Sequence, residues 1–354
     1  MKRTGGIVLI VVVAVAIAYA WLRPRAEKYP DAYIGERTAI VWNSLAAVRQ
    51  PVATLHFGEK VGVVDRRSDQ VRVQLAGGHM GWLDARVLMD AALWERSAKL
   101  LEATRKMPVQ ATGRTKVATN VRVEAGRTAP RLFQFGRDVP VQVFGRASAE
   151  WSPSGEEGNS REANGEESKP KREDWFLVRG RAPMGAGNRA SASEGAQAGS
   201  TEAAAGTVEV AGWVVARFIE FDLPDTVKDY TSSSGMRVLA WFELNRVPEQ
   251  PGSAAEKPQY LVAGARGVKN YGCDFNMLRV YTWGAARHRY ETAYVEGGMC
   301  GLLPVRVGRS SSGDPEFRFQ SQRSGAKEER VYRMRQTSVR RVREVNERPS
   351  RKRK

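Results

Sequence analysis

Two separate stretches of this chain carry the same three blocks in the same order, and this constrains the fold more than any other feature. Leu55-His56-Phe57-Gly58 leads to Val71-Arg72-Val73 and then to Gly81-Trp82-Leu83. Phe133-Gln134-Phe135-Gly136 leads to Trp175-Phe176-Leu177-Val178 and then to Gly212-Trp213-Val214. Self-similarity of this kind marks one supersecondary unit used twice. Val71-x-Val73 and Val139-x-Val141-x-Val143 alternate with period two between Gly, Pro and charged residues, so each copy reads as short β-strands. Gly77-Gly78 supplies the positive φ of a hairpin turn. About five strands in about 60 residues suit a small closed barrel, because closure removes exposed edges.

A turn glycine after an aromatic, a Val-x-Val strand and a closing Gly-Trp segment together resemble the bacterial SH3 domain, SH3b. The resemblance covers Ala32 to Leu88 and Val109 to Ile219. It implies two SH3-like β-barrels, at 29–89 and 108–222, in an exported protein where such modules bind peptidoglycan stem peptides or act as spacers. The family's Asn-Val-Arg opening stands at Asn120-Val121-Arg122, whereas the first copy has Ala46-Ala47-Val48-Arg49. Trp82 and Trp213, with Arg86 and Arg217 four residues on, are the candidate ligand-binding residues. An aromatic in a closing strand equally fills or flanks a core, and a surface arginine is equally often only solvated.

The interval from Phe135 to Gly212 is much longer than that from Phe57 to Gly81, and composition accounts for the difference. Residues 148–173 and 182–206 are dominated by Ser, Gly, Glu, Ala and Asn, too poor in aliphatic side chains to offset the entropy of ordering. They read as long disordered insertions. Residues 90–107 read as a linker helix: Asp90 is a competent N-cap, Leu93, Leu100 and Leu101 share one stripe, and Pro108 stops it. Aromatic and β-branched runs at 238–244, 260–263, 278–283 and 289–294 predict a C-terminal β domain over 236–322, its topology open between sandwich and barrel.

Gly5 to Leu22 carries no charge, and a helix of that length spans about 27 Å, close to the hydrocarbon thickness of a bilayer. Lys2 and Arg3 precede it as a positive n-region. Residues 1–28 are therefore expected to be a transmembrane anchor, or a signal cleaved after Ala18-Tyr19-Ala20. The fold expectation is all-β: two SH3-like β-barrels plus a C-terminal β domain, with an N-terminal transmembrane helix and one linker helix. The location expected from the leader is the inner membrane, single-pass, with the bulk of the chain periplasmic.

Two cysteines and three histidines leave little material for catalysis or metal binding. Cys273 or Cys300 with His288 could form a thiol nucleophile and base. Outside the cytoplasm a Cys273–Cys300 disulfide is the better reading, with two buried thiols as the alternative. His56, His79 and His288 lie in separate modules without metal-ligand spacing, so no metal and no cofactor is expected.

The chain bears 56 Lys and Arg against 39 Asp and Glu, a net charge of +17 that points to anionic partners. The excess concentrates in 323–354, where thirteen Lys or Arg face four Glu. Arg340, Arg341, Arg343, Arg351, Lys352, Arg353 and Lys354 make this a candidate polyanion-binding tail, with a solvated end as the plainer alternative. Export directs the charge away from nucleic acid and towards anionic envelope polymers. The combined expectation is a membrane-anchored, non-catalytic envelope protein whose modules bind peptidoglycan or envelope proteins. The alternatives are an exported cell-wall hydrolase with its active site in the C-terminal domain, and a cytoplasmic SH3-like nucleic-acid binder.

Overall fold

The computed structural model describes residues 29–151, 171–183, 206–267, 272–323 and 326–342, and strands dominate them. The period-two stretches become three seven-stranded antiparallel sheets. The first comprises β1 (Asp31–Ile34), β2 (Thr38–Trp42), β3 (Pro51–His56), β4 (Lys60–Arg67), β5 (Gln70–Gln74), β6 (Met80–Asp84) and β7 (Leu88–Asp90), in the order β3-β2-β6-β5-β4-β1-β7. The second comprises β8 (Ala111–Thr115), β9 (Thr119–Arg122), β10 (Arg131–Phe135), β11 (Pro140–Trp151), β12 (Lys171–Pro183), β13 (Thr207–Val215) and β14 (Ile219–Phe221), in the order β10-β9-β13-β12-β11-β8-β14. Each strand of the second sheet takes the place of its counterpart in the first. A single 3-10 turn joins the last two strands in both, at Ala85–Val87 and at Ala216–Phe218.

The repeated Gly-Trp has the same cause in both sheets. A Cβ on Gly81 would lie 2.8 Å from the Trp42 carbonyl oxygen, and one on Gly212 would lie 2.7 Å from the Arg122 carbonyl oxygen. Only glycine allows the neighbouring strand to approach so closely.

The chain separates into two compact units. The first takes the described residues up to Ile34 together with Ala39–Asp90, and the second takes Gly35–Thr38 and the described residues from Ala91 onward. In the first unit Ile34, Val41, Val71, Val73 and Leu83 form the core. They come from alternate positions of their strands, as a one-sided sheet requires.

In the second unit, α1 (Ala91–Lys106) packs chiefly on β13. Its leucines are only half-buried, whereas Ser97 and Thr104 are fully covered, so small side chains mark the line of closest approach. Asp90 itself ends β7. A second helix, α2 (Asp225–Ser233), was not anticipated from the sequence. It buries Val227 and Thr231 and stacks Tyr230 on Tyr281, with ring centroids 5.9 Å apart.

The third sheet is an uninterrupted meander of β15 (Met236–Pro248), β16 (Glu256–Arg266), β17 (Phe275–Gly284), β18 (Arg289–Arg309), β19 (Pro315–Arg323), β20 (Ala326–Arg335) and β21 (Ser338–Val342). Phe317, Phe319 and Tyr332 stack in its core. Cys273 and Cys300 are bonded, with Cα atoms 5.0 Å apart. Gln110 joins this sheet to the second: its side-chain amide donates to Val305 O at 3.1 Å and accepts from Val305 N at 2.7 Å, while its carbonyl accepts from Trp241 N at 2.9 Å.

Several expectations need correction. Among the described residues no helix is long and apolar enough to cross a membrane, and residues 1–28, which carried the transmembrane expectation, lie outside them. The inner-membrane, single-pass assignment is therefore withdrawn. The rims of both insertions are strand, because β11 and β12 remain paired from Ser148↔Asp174 to Trp151↔Lys171, and Ala182 and Pro183 pair with β13. Residues 152–170 and 184–205 lie outside the described residues. The basic C-terminus begins as sheet: β20 and β21 place Arg340 and Arg341 in a paired strand. Arg343, Arg351, Lys352, Arg353 and Lys354 lie outside the described residues.

Candidate ligand-binding groove

The continued pairing of β11 with β12 carries Trp151 and Glu173 out along one hairpin, beside the 3-10 turn that presents Arg217. Glu173 is buried, and a lone carboxylate there would be costly without cationic partners. Arg127 supplies one through two hydrogen bonds, Nε to Oε2 at 3.0 Å and Nη2 to Oε1 at 3.2 Å, and Arg217 Nη1 donates to Oε1 as well. The Arg127 guanidinium also lies 3.9 Å from the centroid of the Trp151 ring, and that of Arg217 4.8 Å from Phe218. Two cations against one buried carboxylate leave the cluster positive.

This cluster separates two cavities. One, of about 770 Å³, is lined by Asn120, Arg122, Arg127, Trp151, Trp175 and Arg217 among others. The Asn120 Oδ1 on its wall is buried and has no hydrogen-bond partner among the described residues. Arg122 donates to the Ala129 carbonyl, and burial, reinforced by the charges of Arg131 and Arg127, lowers its pKa from the ordinary arginine value. The other cavity, of about 550 Å³, shares Trp151, Val215 and Arg217 and is walled by Phe176, Phe221 and Leu239. At its floor Asp174 binds Arg146 (2.7 Å) and Arg237. Burial pushes the Asp174 carboxyl up, but the hydrogen bond from Arg237 and the two arginine charges outweigh it and hold its pKa below the usual aspartate value.

Of the four candidate ligand-binding residues Trp82, Arg86, Trp213 and Arg217, Arg217 alone enters this groove. Trp213 is half-buried on β13, opposite Arg122 and Leu177. In the first sheet Trp82 is buried opposite Trp42, under the Arg67 guanidinium at 5.2 Å. Arg86 is exposed, and its Nη2 donates to Asp84 Oδ2 at 2.6 Å while its backbone N–H also donates to Asp84, which caps the 3-10 turn. Its charge is thus matched locally. Sequence reasoning missed Trp151 and Glu173 because they sit at the rims of a polar insertion. A lone tryptophan inside a Ser/Gly/Glu-rich stretch was the available signal.

The sulfurs of Cys273 and Cys300 are bonded to each other, so neither is a thiolate available to His288, which is exposed with a positive φ of 47°. Among the described residues no three His, Cys, Asp or Glu side chains gather as a metal set.

No protein-family model matches the chain. No curated protein matches it. Among solved structures it is similar to NlpC2 from Trichomonas vaginalis, at 6% identity and a TM-score of 0.17 over 62% of this chain. It is also similar to an NlpC/P60 family protein from Bacillus cereus, at 13% identity and a TM-score of 0.20 over 58% of this chain. The match spans 62% of the length of either structure. Likenesses of this depth bear on neither fold nor activity.

Proposed function

We propose that this protein is a non-catalytic binding protein whose first two sheets are SH3b-like barrels, the second of which receives an acidic peptide of the cell wall or of an envelope partner. The common strand order, the 3-10 turn before each last strand and the close approach at Gly81 and Gly212 support the SH3-like reading. The observation that carries the binding function is the larger cavity, where Arg122, Arg127 and Arg217 share the wall with Trp151. Its volume of about 770 Å³ falls in the range of ligand sites, which are concave with few, well-placed polar groups. Arginine forks match carboxylates, the indole offers a flat apolar wall, and the Asn120 acceptor suits a peptide N–H. The disulfide is in keeping with an oxidising compartment.

Retention of the full chain on purified peptidoglycan tests this reading. Trp151→Ala and Arg122→Gln should each weaken retention roughly tenfold, the loss of one good aromatic or charge-assisted contact. A soluble acidic peptide should compete. Retention unchanged in both variants would rule out the groove.

A further inference from the structure

The third sheet turns outward a face on which arginines outnumber the carboxylates Glu316 and Glu329. Arg306 on β18 and Arg318 on β19 are directly paired across the strands, and paired residues of an antiparallel ladder share a face. Both are exposed, and neither has an ion pair or side-chain hydrogen bond among the described residues. Two strands further on, Arg340 of β21 is exposed and unpartnered in the same sense, opposite Arg333 of β20. Arg333 in turn holds Glu316 at 3.1 Å. Like charges placed directly opposite each other oppose sheet formation, so this arrangement is held against its own repulsion.

Several other arginines of the same sheet are matched by acids, although Arg266 on β16 is exposed without an ion pair among the described residues. Arg246 pairs with Glu243, Arg287 with Glu291, Arg330 with Glu296 and Glu328, and Arg335 with Asp314. What sets the outer face apart is that its arginines are paired directly with one another across strands.

We infer that Arg306, Arg318 and Arg340 form a docking face for a linear polymer of repeated phosphate groups. The three arginines lie on exposed strand surface, which suits a polymer lying across strands about 4.8 Å apart better than a compact ligand needing a concave pocket. Its cations are all arginines, whose planar forks bind phosphate oxygens in bidentate fashion. The other positions of the two cross-strand rows are Gly308, Glu316, Val331, Arg333 and Val342, with no aromatic ring on which a nucleic-acid base could stack. The ligand is therefore read by its backbone charge alone. The inference does not depend on the groove, whose larger cavity is lined by the second sheet and its turns.

The test uses the full chain and long-chain inorganic polyphosphate, with affinity measured across a salt series. Arg306→Gln/Arg318→Gln should bind roughly 30-fold more weakly at low salt, and its salt dependence should be shallower by about one per lost contact. Arg287→Gln/Arg289→Gln removes the same charge from the β17–β18 turn of the same sheet and should bind like the parent. If the two double variants fall equally, or neither falls, the face is not the site. Single-stranded DNA bound more tightly than polyphosphate would overturn the assignment to a base-free polymer.

Discussion

Arg127 holds Glu173 with both arms of its guanidinium, Nε 3.0 Å from Oε2 and Nη2 3.2 Å from Oε1, at a position where the carboxylate is almost wholly shielded from water. The pair links the segment after β9 to the β11–β12 hairpin and so sets the shape of the groove. Removing one partner of a buried pair strands the other. Arg127→Ala, which leaves the buried Glu173 carboxylate to the exposed Arg217 alone, should therefore cost about 3 kcal/mol. Arg217→Ala should cost less than about 1 kcal/mol, because the Arg217 side chain is 56% exposed and its contribution is screened. Urea unfolding of the two variants would separate them, and equal losses would contradict this division of roles.

The Asp174 carboxyl links β12 to Arg146 on β11 and to Arg237 on β15. In the unfolded chain an aspartate titrates near ~3.9, above its lowered folded value. The stabilisation from Asp174 is then complete above that range and is lost as pH falls through the folded value. Melting temperature followed from neutral pH into acid should drop less steeply for Asp174→Asn than for the parent. Parallel curves would count against it.

The Cys273–Cys300 bond closes a loop of 27 residues across the start of β17 and the middle of β18. Its removal in Cys273→Ser/Cys300→Ser should cost about 3 to 4 kcal/mol of the second unit's stability through loop entropy. The first unit should be untouched. Hydrogen exchange resolved by segment would show protection falling in β15 to β21 and holding in β1 to β7.

Gly81 and Gly212 occupy equivalent places, so their substitutions should behave alike. Each alanine would drive a methyl group into a backbone carbonyl and a neighbouring valine, at a cost of roughly 1 to 3 kcal/mol. Gly78, which has open space around its missing Cβ but a φ of 81°, should cost less, roughly 1 kcal/mol, on replacement by alanine. Chemical denaturation of the three single variants gives the comparison.

The repeat was legible because its signals are local. Period-two alternation and a glycine with a tryptophan after it survive in any chain that must pack the same two strands together. The disulfide was legible because only two cysteines exist to be joined. The groove was harder to read. Trp151 and Glu173 belong to a stretch whose composition argues for disorder, and only the pairing of β11 with β12 makes them strand. Likewise Arg330 to Arg335 read as a charged tail because charge masks the alternation of the buried Tyr332 and Met334 with Arg333 and Arg335.

By itself, then, the amino-acid order determined the β character, the duplication, the helix after β7 and the partners of the sulfur bridge, all properties that depend on near neighbours or on scarcity. The tertiary structure decided which charges meet. Arg127 and Glu173 are 46 positions apart, and Arg306 and Arg318 face each other only through the register of β18 on β19. Electrostatic sites are made by distances through space, and no pattern along the chain encodes those until the strands have paired.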